Sequence, residues 1–519
     1  PTFAGGLLTN TNQHVAFNRM MSREASIGID GVYYNPAGVV FMGEGHHLAI
    51  NWQLAYQTRT INNDYKLFTN NVNNPITPRD FKGKAFAPVI PSFQYAYNKG
   101  KWSFQANFAL TGGGGKCTFD DGLGSFEKIV SETAIAACGL AGVVDQTLGN
   151  ALGQPGMEMF TSDQAFGKTG KYSFNSYMHG RQYYYGLSVG AAYKFCDNFS
   201  AFLGVRGVYA LTNYYGYVEN INVGNMPLYK VLDPTKENAA NIELSCDQTG
   251  VGFTPIIGVD YKTGRWNFSA KYEFKTRIRL KNKSVNQTPS IGNLPANLAN
   301  QMTGILTARY QQAGLPLEQA KQQAENTTNA VLNDPTVGAT MMGLKTQFDQ
   351  KLNKAIGEYE DGKKIAGDIP AYLALGIGYS PVDAVRVNVG FHWFDDKNAT
   401  SYNNRNKELK RGTLEYNAGV EVDVNKKITL STGWQNTNYG LSDEYMDDKS
   451  FVVGSNSAAI GGVYHINKKM DLNVAYFHTF YQHKKTSETV QLAADKSIVY
   501  NSDYTRNNNV FAVGLDINF

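Results

Sequence analysis

The histidine and cysteine side chains, which most often carry catalytic or metal chemistry, lie along this chain without a recognisable motif. None of the histidines at positions 46, 47, 392, 465, 478 and 483 lies in the HExxH sequence of a helical zinc site. Cys117, Cys138, Cys196 and Cys246 have no CxxC spacing, which argues against a zinc or redox centre. We therefore predict no enzymatic activity, no cofactor and no bound metal.

A run of four glycines is the most unusual local feature. Gly112, Gly113, Gly114 and Gly115 follow Thr111. A phosphate-binding loop is excluded, because Leu110 stands where the first glycine of GxxxxGK[ST] belongs and Cys117 replaces its Ser/Thr. Glycines inside a strand remove side-chain packing and allow a bulge or a break. The alternative is a flexible strand end that leads into a loop.

Five basic residues alternate with aromatic residues in the segment 265–281. The basic residues are Lys271, Lys275, Arg277, Arg279 and Lys281, and the aromatic ones are Trp266, Phe268, Tyr272 and Phe274. A strand would place the basic side chains on one face, where they could bind a ligand carboxylate by charge-assisted hydrogen bonds. They could instead pair with acidic residues such as Glu415 and Glu421.

Most of the chain after residue 46 reads as strands with one apolar and one polar face. In the last strand, Phe511, Val513, Leu515, Ile517 and Phe519 alternate with Ala512, Gly514, Asp516 and Asn518. The run from Leu414 to Val424 alternates in the same way and places acidic residues on its polar face. Such residues are costly in a dry core but not in a wet lumen, which favours a barrel with its apolar face outward over a soluble sandwich.

The connections between these runs alternate strictly in length. Tight turns are predicted at 98–100, 196–198, 262–264, 380–383, 425–427 and 467–469. Long connections are predicted at about 62–82, 119–180, 218–249, 285–368, 402–411, 439–452 and 487–505. Short turns at one end and long loops at the other are typical of an outer-membrane barrel, here of about fourteen antiparallel strands. Two of the loops, within 125–152 and 294–366, contain helical patterns.

The composition agrees with this class and excludes others. Of 519 residues, 13% are aromatic and only 18% are charged. No continuous apolar run reaches the roughly 18 residues of a membrane helix, the longest candidate being 134–144. The net charge of +4 is too small for this length to indicate nucleic-acid binding. The chain begins at Pro1 without a signal sequence, so we expect that any export signal has been removed or was never present.

The sequence Asn35-Pro36-Ala37-Gly38 fits neither a strand nor a helix. Proline removes a backbone donor, the residue before it is pushed out of the helical region, and Gly38 allows a turn. In its setting after Tyr33-Tyr34, near the N-terminus, this motif resembles the signature of the FadL/TodX family of outer-membrane channels for hydrophobic compounds.

The resemblance implies a domain arrangement and a transport path. It implies a hatch over residues 1–45, held by Asn35, Pro36, Ala37 and Gly38, inside a barrel over residues 46–519. It also implies a kinked third strand that opens a lateral exit, which we place at Gly112–Gly115. The long loops 119–180, 218–249 and 285–368 would capture the ligand. The resemblance assigns no ligand-binding residues; from the alternation alone, Lys271, Lys275, Arg277 and Arg279 could bind the ligand carboxylate, pair with lumenal acidic residues or, near the extracellular end, bind phosphates of lipopolysaccharide.

The sequence therefore predicts an all-β transmembrane barrel in the outer membrane of a Gram-negative bacterium, monomeric and in contact with lipid and lipopolysaccharide. Its predicted function is passive uptake of hydrophobic molecules such as long-chain fatty acids. A water-filled general porin and a structural or adhesive barrel are the alternatives. Cys117 and Cys138 fall on the extracellular side and could form a disulfide there, because exported proteins meet an oxidising environment.

Overall fold

The wall of the molecule is a single antiparallel sheet that closes on itself. The computed structural model describes residues 7–289, 291–493 and 496–519. Closure follows because β1 (Gly45–Tyr65) pairs with both β2 (Arg79–Lys99) and β18 (Lys496–Asn518). The other strands in the described ranges are β3 (Trp102–Phe119), β4 (Tyr172–Cys196), β5 (Phe199–Val223), β6 (Met226–Pro227), β7 (Ile242–Thr263), β8 (Trp266–Glu273), β9 (Arg279–Gln287), β10 (Lys364–Ala366), β11 (Tyr372–Val382), β12 (Val385–Phe394), β13 (Thr413–Asn425), β14 (Ile428–Asn438), β15 (Ser455–Asn467), β16 (Met470–Tyr481) and β17 (Lys484–Ala493).

These strands occupy fourteen positions around the wall. β8 and β9 follow one another at a single position beside β7. In the same way, β10 and β11 share the next position, and β16 and β17 share one position beside β18. β6 is a two-residue extension beside the end of β5. The predicted barrel of about fourteen antiparallel strands is therefore confirmed.

The wall is inverted relative to a soluble protein. Large apolar side chains cover the outside, including Leu203, Phe253 and Ile460, which are 69%, 71% and 64% exposed. Polar side chains such as Gln53, Asp260 and Glu415 are buried on the inside. This alternation has the period of two that the strands show in sequence, and it presents a continuous apolar surface to a surrounding lipid phase.

The two ends of the barrel differ. All six predicted tight turns are confirmed at one end, where for example β13 and β14 are joined only by Lys426 and Lys427. The opposite end carries the long loops and their helices. The α-helices of the described residues are α1 (Val15–Met20), α2 (Gly31–Tyr34), α3 (Gly124–Ala151), α4 (Tyr229–Leu232), α5 (Leu294–Gln312), α6 (Leu317–Leu332) and α7 (Pro335–Ile356).

The long-loop end has an apolar core of its own. Side chains from α3 to α7 pack in one buried cluster with the ends of β5 and β7, including Val130, Leu148, Val231, Leu298 and Val337. The helical patterns expected within 125–152 and 294–366 are thus confirmed. α3 is longer than the apolar run seen in sequence, and by length and composition alone it could cross a membrane, with half of its most apolar window buried.

A charge placed on the outer face tests the inverted wall. Ile257 lies near the middle of the exposed apolar series that runs from Val251 to Tyr261 on β7. We expect Ile257→Lys to lower the free energy of unfolding in lipid vesicles by about 2–4 kcal/mol, because lysine at mid-depth must be desolvated. Thr263→Lys, two positions beyond that series at its short-turn end and opposite Trp266, should cost at most about 1 kcal/mol. Equal effects of the two substitutions in urea titrations would contradict a lipid-facing surface.

Candidate functional site

The inside of the barrel is occupied by residues 7–44, which we term the N-terminal segment. Residues 9–25 and 29–40 are buried without exception. α1 contacts β1 and the strands from β13 to β16 on one side of the lumen, and α2 contacts β2 and β3 on the other. The predicted hatch began at residue 1, and residues 1–6 lie outside the described residues.

Asn35 ties the N-terminal segment to the wall through a buried carboxylate. Its Nδ2 donates to Oδ2 of Asp260 on β7 at 2.6 Å, and the same oxygen accepts a bond from Asn267 on β8 at 2.8 Å. The Asn35 Oδ1 accepts from the backbone N–H of Gly38, which closes the turn. Two amide donors thus converge on one buried carboxylate oxygen, and this contact fixes the motif to β7 and β8.

The next two residues of the motif are held by their carbonyl groups. The Pro36 oxygen accepts a bond from Gln105 on β3 at 2.7 Å, and the Ala37 oxygen accepts from Ser200 on β5, also at 2.7 Å. Gly38 is required for a steric reason, since a Cβ there would lie 2.3 Å from the Nδ2 of Asn35. The motif therefore joins three separate wall positions through polar contacts.

Ion pairs hold the part of the segment that follows α1. Arg23 donates to Asp30 at 2.6 Å and to Glu421 on β13 at 2.9 Å, and Arg19 also pairs with Glu421. Arg386 on β12 reaches the other oxygen of Glu421 at 3.1 Å. One wall carboxylate thus contacts three guanidinium groups, two of which belong to the N-terminal segment.

A buried histidine forms a second electrostatic link. His392 on β12 contacts Glu24 through Nε2 at 2.7 Å and Glu415 on β13 through Nδ1 at 2.8 Å. All three side chains are almost completely buried. This histidine therefore joins a carboxylate of the N-terminal segment to a carboxylate of the wall.

Lys271 is buried inside the barrel and already has partners. Its Nζ donates to the backbone oxygen of Tyr33 at 2.6 Å and to Glu273 at 3.0 Å, and it lies 3.9 Å from the centre of the Tyr33 ring. Glu273 is also bonded by Arg206. Lys271 therefore binds the N-terminal segment at Tyr33, close to the Asn35 motif.

The prediction that the basic residues of this strand share one face is wrong. The strand is broken between β8 and β9, where Thr276 forms only an isolated bridge to Ile369. The break shifts the alternation by one side, so that Arg277 and Arg279 are exposed on the outside while Lys271 is buried inside. Lys275 is half-buried and donates to the carbonyl of Asn398. These four residues do not form one ligand site.

The wall has an unpaired stretch between β2 and β3. Ala85 pairs with Cys117 and Phe93 with Phe108, but residues 86–92 and 109–116, all of them described, do not pair with each other. On the β3 side, Gly113 and Gly114 have φ values of 71° and 119°, which favour glycine, and the pairing with β4 shifts between Leu110 and Gly112 and again between Gly113 and Gly115.

The β2 side of this stretch contains two prolines, Pro88 and Pro91. Proline has no N–H to donate, so it weakens pairing along this edge just as the glycines do on the opposite one. We term this stretch the wall gap. The sequence analysis identified only its glycine side, although two prolines inside an alternating strand were a visible signal.

The start of the N-terminal segment is bonded to the glycine side of the wall gap. Asn10 donates through Nδ2 to the carbonyls of Gly113 at 2.8 Å and Leu110 at 3.3 Å, and through its backbone N–H to Thr111 at 2.9 Å. Thr9 forms an isolated bridge with Gly112. The polar run from Thr9 to His14 was the sequence signal for this contact, and it was missed.

Three narrow cavities form a row from the helices to the wall gap. The first, of about 70 Å³, lies among α3, α4 and α5, and it shares Ile129 and Phe348 with a second cavity of about 50 Å³. The second shares Met178 and Tyr214 with a third of about 30 Å³. The third is lined by Gly113, Gly114 and Gly115, so the row ends at the wall gap.

The first two cavities are lined almost entirely by apolar groups, whereas polar side chains such as Gln182 and Ser450 also line the third. Lys449 is the one charged side chain that lines the second cavity, and it lines the third together with Arg59. Its Nζ lies 3.3 Å from the carbonyl of Ala355 and 3.9 Å from a carboxylate oxygen of Asp447. A molecule in this row would meet hydrocarbon first and a cation near its inner end.

None of the four cysteines, all of which lie in the described part of the chain, forms a disulfide. All four are free, so the pairing considered between Cys117 and Cys138 is not formed. Cys138 lies in α3, where its Sγ approaches the carbonyl of Phe166, and Cys117 lies in β3 beside the wall gap. Burial raises the pKa of the Cys138 thiol, which keeps it protonated and unreactive.

The fold has counterparts among solved structures. No protein-family model matches the chain, and no curated protein matches it in sequence. A FadL homologue from Pseudomonas aeruginosa is 13% identical, with 99% of this chain and 100% of that chain covered and a TM-score of 0.59. The toluene transporter TodX of P. putida is 11% identical, with 95% and 94% covered and a TM-score of 0.50.

A mutant of TodX, described as a monoaromatic hydrocarbon channel, is 12% identical with 98% and 99% covered and a TM-score of 0.51. Identities this low establish a common fold and nothing finer. The fold expected from the resemblance of Asn35-Pro36-Ala37-Gly38 to the FadL/TodX signature is thereby confirmed.

The contact between Asn35 and Asp260 can be measured by a double-mutant cycle. We expect Asn35→Ala and Asp260→Ala each to lower the free energy of unfolding by about 1–3 kcal/mol, because each leaves a buried polar group without its partner. The double variant should cost at least about 0.5 kcal/mol less than the sum. Hydrogen exchange of residues 29–42 should rise in both single variants.

The control is a pair of the same chemistry on the surface. Asn62 donates to Asp80 at 2.7 Å between β1 and β2, and both side chains are exposed. Alanine substitutions there should show almost no coupling, since water replaces the lost partner. If the costs of Asn35→Ala and Asp260→Ala simply add, the contact does not hold the motif.

Proposed function

We propose that this chain is a passive channel through which hydrophobic small molecules cross the outer membrane of a Gram-negative bacterium. The observation that carries the proposal is the row of apolar cavities that runs from the long-loop helices to the wall gap. Ligand is captured among the helices, passes inward along this row, and leaves sideways through the gap into the lipid. The long-loop end therefore faces the cell exterior.

The filled lumen supports a lateral path over an axial one. The N-terminal segment is bonded to wall strands around the lumen through Asn35, Arg23 and Glu24. An apolar solute gains nothing from a polar interior of this kind, whereas it gains free energy by leaving water for a hydrocarbon-lined cavity. Transport down this gradient needs no nucleotide and no metal.

We further propose that the N-terminal segment is the movable hatch of the channel. Asn10 holds the glycine side of the wall gap, so a shift of the segment near Asn10 changes the width of the gap. The motif around Asn35 lies deeper and anchors the segment while its first residues move. Residues 1–45 and 46–519 are accordingly the hatch and the barrel of this proposal.

The proposed ligand is a long-chain fatty acid or a similar amphiphile. The narrow cavities suit an extended hydrocarbon chain, and the position of Lys449 at their inner end suits an anionic head group. Toluene and related hydrocarbons, the cargo named for TodX, would use the same cavities without needing the cation. Lys449 therefore distinguishes the two ligand classes.

Closing the wall gap tests the exit. A Cβ at Gly113 would lie 2.3 Å from the carbonyl of Gln182, and its φ is unfavourable for valine, so Gly113→Val with Gly114→Val must straighten β3. We expect uptake of radiolabelled oleate by cells that lack their own fatty-acid channel to fall to background. Folding is checked by the heat-induced shift in electrophoretic mobility.

Gly207→Val is the matched control, because a Cβ at Gly207 meets only ordinary contacts at 3.7 Å or more. Its oleate uptake should equal that of the wild type. Unchanged uptake in a folded Gly113→Val/Gly114→Val variant would remove the lateral exit. Steady ion conductance of the wild type in planar bilayers would favour a general porin instead.

Replacing the cation tests the ligand class. We expect Lys449→Gln to weaken oleate binding by roughly tenfold, since a charge-assisted hydrogen bond contributes about 1.5 kcal/mol or more. Toluene binding should not change. Tryptophan fluorescence or calorimetry of the purified protein measures both. Equal loss for the two probes would show that Lys449 supports the cavity wall and does not bind a carboxylate.

A further inference from the structure

The outer surface of the barrel carries a compact group of cations that the transport path does not use. Arg277, Arg279 and Lys281 are exposed along the outer face of β9 and the residues just before it, and Lys364 is exposed on the neighbouring β10. We term these four residues the basic patch. It lies on strands remote from β2 and β3, so it does not belong to the wall gap.

The position of the patch relative to the apolar surface is well defined. Along the same outer face, Trp266, Phe268 and Phe274 are exposed at 44%, 38% and 43% and form part of the lipid-facing band. The first cation, Arg277, follows only three residues after Phe274. The patch therefore begins where the apolar surface ends, on the long-loop side, which is the depth of lipid head groups.

The arrangement of the cations is unfavourable unless an anion lies between them. Lys281 and Lys364 are directly opposite each other in the pairing of β9 with β10. Like charges at such positions destabilise a sheet, because their Cβ atoms are only about 4.5–5.5 Å apart. Arg279 is opposite Ala366 on the same pair of strands and adds a third cation to this face.

Acidic neighbours do not neutralise the patch. Asp368 pairs with Arg279 at 2.9 Å, and it is the one acidic partner found for the four cations within the described residues. Asp247 on β7 is opposite Lys283, two positions beyond Lys281, and we therefore leave Lys283 out of the patch. The patch retains an excess of positive charge at the membrane boundary.

We propose that the basic patch binds the phosphate groups of lipopolysaccharide in the outer leaflet. The two guanidinium groups can each donate two parallel hydrogen bonds to a phosphate, and Lys281 on β9 and Lys364 on β10 add charge beside them. Phosphate between the two lysines also removes their mutual repulsion. This inference rests on the proposed outer-membrane location but not on what the channel transports.

The test compares lipid retained by purified protein. A variant with Arg277→Gln, Arg279→Gln, Lys281→Gln and Lys364→Gln should retain at least about tenfold less lipopolysaccharide per protein, measured by mass spectrometry after purification in mild detergent. The control replaces Lys99, Lys262 and Lys426 with glutamine at the short-turn end, where these side chains are also exposed. The control should retain as much as the wild type.

A second comparison needs no variant. Wild-type protein in vesicles should bind lipopolysaccharide but not its dephosphorylated form, and added salt should weaken the binding because the contact is electrostatic. Equal binding of both forms, absence of lipopolysaccharide from the wild type, or equal retention by the patch and control variants would each overturn the proposal.

Oleate uptake separates this proposal from the channel function. The patch variant should take up oleate as the wild type does, since the patch lies away from the cavities. Loss of lipopolysaccharide with normal uptake supports both proposals. A wild type that retains lipopolysaccharide but takes up no oleate would contradict the channel and leave the patch standing.

Discussion

Charged side chains buried inside the barrel need partners, and the N-terminal segment supplies many of them. Glu421 is matched by Arg19 and Arg23, and His392 by Glu24. Removing one member of a buried ion pair typically costs 3–5 kcal/mol, because the other charge is left without compensation. The segment is therefore part of the structure of the wall as well as its plug, and moving it as a whole would be very unfavourable.

The buried ion pairs predict which part of the N-terminal segment can move at the lowest cost in free energy. The residues before α1 contact the wall gap through hydrogen bonds between neutral groups, those of Asn10 to Gly113, Leu110 and Thr111. Each such bond contributes only about 0.5–1.5 kcal/mol, well below a buried ion pair. The beginning of the segment is thus easier to release than the part held by Arg23 and Asn35, so the hatch movement proposed above would not require an open lumen.

The sequence predicted the features that depend on local periodicity and turn chemistry. Alternation of period two and the tight turns were sufficient for the fourteen-stranded wall, and the glycine run marked one side of the gap. The basic face failed because the break around Thr276 reverses the alternation, and nothing in the local pattern signals a break there. Arg23 and Glu421 are 398 residues apart, so their contact depends on closure of the whole barrel. The cavities likewise lie between loops whose relative positions cannot be predicted from local sequence patterns.

The wall gap also shows how an unpaired strand edge is tolerated beside lipid. Unsatisfied backbone groups in hydrocarbon cost several kcal/mol each, so an opening between two ordinary strands would close or bind another strand. Here Pro88 and Pro91 have no N–H that could be left unpaired on β2, and the carbonyls of Leu110 and Gly113 on β3 accept hydrogen bonds from Asn10. Asn10 thus satisfies three carbonyls on the β3 side of the gap. In the channel proposed above, the same hydrogen bonds would link the state of the hatch to the state of the exit.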